Sequence, residues 1–398
     1  MRRLHYQNFD LRVRQDGKDQ YLAEVLASPV GETAQATPVT INLDEAALVQ
    51  GLESLKAFTQ PPKTLQALGT WLRDRLLPPP IWTLYRAALA RLSASEGLRL
   101  RLRLDPPELA ALPWEYCYDP ENDSFLALDP RTPIVRYLPL AFSPLPLATS
   151  GPVRLLIMIA TPNDWPDLDV GREREQIRGA LAAAIAAGRV EIDVSEGSAS
   201  LESLPDHLRR GAHVFHFIGH GSYDAATANG YLILEQEDGS GVAVDGSRLA
   251  TLLRSSGVGL AVLNACETAT AGSDNAYAGV AQALVRAGLP AVAAMQFPIG
   301  DTQAVAFART FYRALGDGWP VDAAMTEARR AMFLSADGGQ WGIPALFMRA
   351  PEGVIWAERE EAPGGRAQGG NTITISGAVH ITGDIVGGNK TIISGPTP

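Results

Sequence analysis

Two residues of this 398-residue chain could together attack a peptide bond, and each follows a predicted strand. His220 follows the pattern HVFHFIG (213–219), and Cys266 follows GLAVLNA (259–265), 46 residues further along. A cysteine thiol with a pKa of about 8.5 is only slightly ionised at neutral pH. A neighbouring imidazole can take the thiol proton and later return it to the leaving amine. The pair therefore indicates a cysteine nucleophile with a histidine general base.

Backbone amides next to these residues could bind the oxyanion that forms on the attacked carbonyl. Gly221 has no side chain, so a substrate carbonyl can approach its N–H closely. The N–H of Cys266 would be the second donor, and each such donor lowers the barrier by roughly 3–4 kcal/mol. Because no third catalytic side chain is evident, we expect a backbone carbonyl to orient His220.

The other cysteine and the neighbouring histidines are interpreted as structural residues. Cys117 in PWEYCYD is typical of a small buried hydrophobe, and His213 and His216 are expected to be hydrogen-bonded core residues. A zinc site formed by His213, His216, His220 and Cys266 is the alternative. The spacing of His216 and His220 would suit a helix, whereas VFHFI is typical of a strand and separates the two rings. We therefore expect neither a metal nor another cofactor.

The elements that position the pair alternate between strand and helix from residue 153 onwards. Apolar runs of strand length, such as VRLLIMIA (153–160) and AVAAM (291–295), alternate with helical patterns. This alternation predicts an α/β fold with a mostly parallel sheet and helices on both faces. In such sheets the chemistry lies at the carboxyl ends of the strands, where His220 and Cys266 are placed. Helices are predicted over about 171–187, 201–210, 247–255, 276–287, 301–315 and 321–335, the first ended by Gly188.

Two strand pairs are also predicted in this part of the chain. YLILE (231–235) and GVAVD (241–245) should form a hairpin around a Glu-Asp-Gly turn. ALFMRA (345–350) and GVIWA (353–357) are expected to pair near its end.

The chain length indicates two or three domains, at about 150 residues each. Residues 1–148 are predicted to be an α+β domain, and residues 149–357 the domain with the His–Cys pair. In LRLRLRL (98–104), leucines alternate with arginines, which predicts a half-buried strand whose arginines form the solvated face. Residues 358–370 (EREEAPGGRAQGG) are interpreted as a charged, glycine-rich linker.

Charge and composition exclude several classes of protein. With 34 basic and 44 acidic residues the net charge is −10, which is unfavourable for binding nucleic acid. Two cysteines exclude a disulfide framework. The sequence contains no run of about 18 apolar residues that could span a membrane. We also expect no secretory signal, because no apolar segment follows the basic start. We therefore expect a cytoplasmic protein that binds neither nucleic acid nor membrane.

Two motifs resemble those of a known family. HFIGHGSYD (216–224) and VLNACETA (262–269) are similar to the paired motifs of the CHAT family, bacterial caspase-like cysteine peptidases often attached to tetratricopeptide repeats. The similarity extends through AGVAQALVRAGLPAVAAMQFPIGD (278–301) to WGIPALFMRAPEGVIW (341–356), and upstream to LRLRLRLDPPELAALPWEYCYD (98–119). The histidine-to-cysteine spacing is also that of caspases.

The resemblance implies a caspase–haemoglobinase sheet and a role for each site residue. His220 would be the general base and acid, and Cys266 the nucleophile. The amides of Gly221 and Cys266 would form the oxyanion hole. Repeats that accompany this domain elsewhere are absent from this sequence.

The residues around Cys266 depart from the caspase pattern Q-A-C-[RQG]-G, because the chain has Asn264-Ala265-Cys266-Glu267-Thr268. Asn264 shares a strand face with Cys266, so we expect it in the substrate pocket. Acidic residues that could line this pocket would favour a basic P1 residue over the aspartate that caspases prefer. These acidic residues are Asp224, Glu267, Asp274 and Asp301.

The last segment, residues 371–398, differs in composition from the rest. NTITISGAVHITGDIVGGNKTIISG (371–395) is rich in Ile, Val and Thr, contains no proline and has no net charge, which is typical of a steric zipper or β-arch. It resembles short adaptor motifs of bacterial immune proteins. We expect it to pair with a second copy or an adaptor partner, the alternative being a β tail without a partner.

Two functions follow from these observations. The first is a caspase-type cysteine endopeptidase that cleaves a partner protein in a bacterial antiphage or cell-death pathway and is activated by assembly or partner binding. The alternative is a catalytically silent caspase-like scaffold that assembles through its C-terminal tail.

Overall fold

The computed structural model describes residues 4–57, 61–138, 147–149, 151–168, 170–196, 199–224, 229–254, 256–265, 276–335 and 338–358. The predicted β tail (371–398) lies outside these ranges, as does the predicted linker apart from Glu358. No helix among the described residues is long and apolar enough to cross a bilayer.

The described strands and helices have the following bounds. The strands are β1 (His5–Gly17), β2 (Gln20–Ala27), β3 (Thr37–Thr40), β4 (Glu96–Leu104), β5 (Tyr118–Asp119), β6 (Ser124–Phe125), β7 (Ile134–Tyr137), β8 (Leu147–Thr149), β9 (Val153–Ile159), β10 (Val190–Glu196), β11 (Val214–Gly219), β12 (Gly221–Asp224), β13 (Asn229–Glu235), β14 (Gly241–Asp245), β15 (Leu260–Ala265), β16 (Ala291–Met295), β17 (Pro344–Met348) and β18 (Trp356–Glu358). The helices are α1 (Ala46–Lys56), α2 (Pro62–Leu76), α3 (Pro79–Arg91), α4 (Pro107–Ala110), α5 (Val170–Ala186), α6 (Leu204–Arg209), α7 (Gly246–Leu253), α8 (Ala276–Arg286), α9 (Asp301–Gly316) and α10 (Val321–Phe333).

An 11-stranded sheet runs through the unit Met1–Glu358, in the order β10-β9-β11-β15-β16-β17-β7-β4-β1-β2-β3. Its pairs are parallel except β16–β17, β1–β2 and β2–β3. Successive residues of β9 belong to two different cores. Ile157 lies in the core that contains apolar residues of α5, α9 and α10, and Met158 lies in the core that contains those of α6, α7 and α8. Because successive strand residues point to opposite faces, helices cover both faces. The predicted α/β fold with a mostly parallel sheet is confirmed.

Two elements that were predicted from short-range sequence patterns, a helix and a hairpin, are present in the structure. The predicted 171–187 helix is α5, and Gly188 follows its end with φ +68°, a left-handed conformation that glycine adopts without steric cost. The hairpin of β13 and β14 is confirmed. The predicted pairing of ALFMRA with GVIWA is wrong, because β17 pairs with β16 and β7, whereas β18 pairs with β8.

The sheet runs through the domain boundary expected near residue 148. β17, from the second part of the chain, is hydrogen-bonded to β7, which in turn pairs with β4. Met1–Glu358 therefore forms one compact unit. The N-terminal α+β elements therefore extend the sheet of the second part of the chain.

The arginines of β4 are not all on a solvated face. Arg99 is only 1% exposed: its Nε donates to Asp322 Oδ2 at 2.5 Å, and its Nη1 donates to Asn8 Oδ1 at 3.1 Å. Arg101 is ion-paired with Asp10. The expectation of solvated arginines is therefore wrong for Arg99, because the N-terminal turn of α10 covers it with a carboxylate.

Arg99→Met should lower the free energy of unfolding by about 3–5 kcal/mol, since it leaves the buried Asp322 carboxylate without its cation. Chemical denaturation measures this change. The matched control is Arg86→Met, which breaks the exposed pair with Glu121 and should leave stability almost unchanged. Adding Asp322→Leu to the first variant should restore much of the loss. Equal effects of the two single changes would contradict a structural role for the buried pair.

Candidate active site

His220 and Cys266 follow two neighbouring strands of the sheet. β11 lies beside β15, and their parallel register places Gly219 opposite Ala265. His220 and Cys266 are the next residues in each strand's sequence. Cys266 lies outside the described residues, so its distance to His220 stays a prediction. The register nevertheless brings the ends of both strands to the same edge of the sheet.

The imidazole of His220 is held by the loop that follows β9. Its Nε2 lies 2.8 Å from the carbonyl oxygen of Pro166, and its ring centroid lies 5.1 Å from that of Trp165 at 35°. A carbonyl oxygen only accepts hydrogen bonds, so Nε2 carries the proton. In the neutral ring, Nδ1 is then the nitrogen that can accept one. The expected backbone carbonyl partner of His220 is thus that of Pro166.

Burial sets the protonation state of this ring. The His220 side chain is 4% exposed. Loss of solvent lowers its pKa below the usual 6.5, and the hydrogen bond to Pro166 opposes that shift in part. The lowered pKa favours the neutral imidazole, which is the state that a general base needs.

The loop with Trp165 and Pro166 is in turn held by the β13–β14 hairpin. Asn163 N donates to Gly239 O at 2.9 Å, and Gly241 N donates to Asp164 Oδ1 at 2.7 Å. Gly241 also packs against the indole, where a Cβ would lie 2.5 Å from Trp165 Nε1. A side chain at residue 241 would therefore displace the indole that covers His220.

Sequence reasoning missed both Trp165 and Pro166. Neither lies in the motifs that contain His220 and Cys266. The available signal was position: they follow β9, which neighbours β11, so their loop leaves the sheet at the same edge.

The residues expected around the substrate are only partly described. Gly221 begins β12 opposite Leu232 of β13 and is buried. Asp224 is exposed at the end of β12. Asp301 is the first residue of α9, where a carboxylate also stabilises the helix by its interaction with the helix dipole. Glu267 and Asp274 lie outside the described residues. The oxyanion hole and the preference for a basic P1 residue therefore stay predictions.

Asn264 is placed differently from its expected position in the substrate pocket. Its side chain has no exposure, and Nδ2 donates to Glu173 Oε1 of α5 at 2.5 Å. The face of the sheet that Asn264 shares with Ile218 is covered by helices. Asn264 thus links β15 to α5 by a buried hydrogen bond, and its amide does not reach a solvent-open groove.

His216 belongs to the same buried network. Its Nε2 lies 3.1 Å from Glu173 Oε1, and its Nδ1 lies 2.7 Å from the hydroxyl of Tyr312. Burial and the nearby Glu173 raise the pKa of Tyr312, so the phenol keeps its proton and donates it to Nδ1. The expectation of a hydrogen-bonded core histidine is confirmed for His216.

This network weakens the zinc alternative, because both ring nitrogens of His216 have partners. His213 Nδ1 accepts from Arg154 N at 2.9 Å. Across the described ranges, no three His, Cys, Asp or Glu side chains are grouped as metal ligands.

Cys117 is the second thiol of the chain and lies in the core as expected. It has no solvent exposure, and burial raises its pKa well above the usual value. A thiol in such surroundings is unreactive.

Comparison with known proteins identifies one family. The sequence matches the CHAT domain over residues 66–348. Among curated proteins, none matches the chain.

Three solved structures share similarity with the chain at low identity. A chain of the Saccharomyces cerevisiae separase–securin complex is 16% identical, with a TM-score of 0.40 over 77% of this chain and 20% of that one. This chain thus spans a fifth of its length. The Arg-specific cysteine proteinase gingipain R is 12% identical, with a TM-score of 0.44 over 68% of both chains. The Drosophila initiator caspase Dronc is 10% identical, with a TM-score of 0.33 over 51% of this chain and 83% of that one.

His220 should titrate below pH 6.5 and carry its proton on Nε2, because burial disfavours the charged ring and Pro166 accepts from Nε2. Nitrogen NMR of a histidine-labelled Cys266→Ala chain measures both properties without a contribution from the thiol. His220→Gln assigns the signal. A midpoint above 6.5, or a proton on Nδ1, would contradict this geometry.

Proposed function

The chain belongs to the CHAT domain family, and from this premise we propose that it is a cysteine endopeptidase with His220 as general base and Cys266 as nucleophile. The observation that supports this most directly is the state of His220. Its Nε2 donates to the Pro166 carbonyl at the end of the strand beside the one that Cys266 follows, and burial lowers the pKa of the ring.

The proposed reaction uses this arrangement in two steps. His220 Nδ1 takes the Cys266 proton, and the thiolate attacks the scissile carbonyl, whose oxyanion accepts from the amides of Gly221 and Cys266. The imidazolium then protonates the leaving amine, and a thioester remains on Cys266. Water, deprotonated by the same imidazole, hydrolyses the thioester and releases the acid product and the thiol.

We infer that the substrate is a partner protein in a bacterial antiphage or cell-death pathway. This inference extends the family assignment, because members of the resembled family are bacterial caspase-like peptidases. The acidic residues Asp224, Glu267, Asp274 and Asp301 support a basic P1 residue in that substrate.

A catalytically silent scaffold is the alternative function. Such a scaffold would not need an imidazole that contacts Trp165 and is hydrogen-bonded through Nε2 to a backbone carbonyl. The ordering of His220 by two residues of one loop therefore favours the enzyme.

Iodoacetamide should modify Cys266 faster than Cys117, because the Cys117 thiol is buried and its pKa is raised. His220→Ala should slow the modification of Cys266 by roughly tenfold or more, since the thiolate is the reactive form. Mass spectrometry of tryptic peptides over time measures both rates. The control is His213→Ala, which changes a histidine outside the proposed pair and should leave the Cys266 rate unchanged. Equally slow modification of both thiols in the chain without substitutions would favour the scaffold.

We also propose that residues 371–395 assemble the protein and so promote its activity, on the basis of their zipper-like composition. Deleting 371–398 should abolish self-association, measured by light scattering, and lower the rate of peptide cleavage. Ile375→Asp with Ile385→Asp keeps the chain length and should have the same effect, since buried charges are costly in a dry zipper. A truncated chain that assembles and cleaves like the full chain would refute this role.

A further inference from the structure

Glu235, the last residue of β13, is a buried carboxylate that binds two loops through their backbones. It is 7% exposed. Oε1 accepts from Thr161 N at 2.7 Å, and Oε2 accepts from Ala199 N at 3.1 Å. No cation among the described residues is ion-paired with it. Burying a charge costs free energy unless the charge is paired and hydrogen-bonded. Packing alone therefore does not explain a carboxylate at this position.

The first of these loops is the one that holds the imidazole of His220. Thr161 lies in the segment that follows β9, and Trp165 and Pro166 of that segment contact the His220 ring. The Glu235 carboxylate therefore fixes the origin of this segment at one end of β13.

The same strand also fixes the main chain of His220. Ile233 N donates to His220 O at 3.0 Å. β13 thus holds the backbone of His220 directly and, two residues further on, holds through Glu235 the loop that binds its side chain. One strand, β13, therefore holds both the donor residue and the acceptor loop of the Pro166–His220 hydrogen bond.

We propose that Glu235 is a positioning residue for His220, which keeps the Pro166 carbonyl in place to accept from Nε2 and so keeps Nδ1 as the ring nitrogen without a proton. The catalytic meaning of this role rests on the proposed peptidase function, whereas the positioning itself is a structural property of the chain. Glu235 does not touch the reacting atoms. It acts through the loop with Trp165 and Pro166.

Glu235→Gln tests the role with little change in size, because the amide can accept one of the two backbone N–H bonds but not both. In the full-length Cys266→Ala chain, the Nε2 proton of His220 should exchange with solvent at least about tenfold faster than without the change, since the loop no longer protects it. Proton–nitrogen NMR measures this rate. Glu235→Asp, which retains the charge but is one methylene shorter, provides a second variant if the first does not fold.

The matched control is Asp322→Asn, which alters another buried carboxylate, that of the Arg99 pair. It should lower stability and leave the exchange of the His220 proton unchanged. If neither Glu235 variant accelerates that exchange, or if Asp322→Asn accelerates it equally, Glu235 has only a general structural role and the proposal is overturned.

In the chain with Cys266 intact, Glu235→Gln should lower kcat for a peptide substrate by roughly ten- to a hundredfold and change KM little, because misplacement of a base affects the chemical step. A chain without peptidase activity would refute the proposed function and leave the NMR result as the independent test of positioning. A fall in kcat without faster proton exchange would refute positioning through this loop.

Discussion

The parallel register between β11 and β15 is the constraint on which the candidate site depends. It pairs Gly219 with Ala265, so the two strands end together. A slip of one residue would turn every side chain of a strand to the opposite face. The buried network resists such a slip, because Glu173 accepts from His216 on one strand and from Asn264 on the other. Two polar side chains in an apolar layer thereby specify the alignment of both strands.

Buried polar groups recur where this fold joins parts that are distant in sequence. Arg99 and Asp322 join β4 to α10, Glu173 joins α5 to two central strands, and Glu235 joins β13 to two loops. Each has a desolvation cost that apolar residues would not have. Glu173 and Glu235 bind the strands and the loop around His220, whereas the Arg99–Asp322 pair stabilises the packing of β4 against α10.

Pattern and local chemistry predicted much of this structure. Apolar runs located the strands around His220 and Cys266, and helix α5 and the hairpin of β13 and β14 followed from short-range signals. The burial of Arg99 was not predictable in this way, because its partner Asp322 is 223 residues distant. Trp165 and Pro166 were missed for the same reason: β9 becomes a neighbour of β11 only in the folded sheet. The expectation that Asn264 lines the substrate pocket failed because the sequence does not show which helices cover its face of the sheet.

The hydrogen bonds between β17 and β7 have a consequence for how such chains can be recombined. Removing the residues before about 148 would leave the β7-facing edge of β17 with unpaired amides and carbonyls, a surface prone to aggregation. A different N-terminal segment would therefore have to supply its own strand in the place of β7, and a simple fusion in front of residue 149 would leave that edge of β17 unpaired.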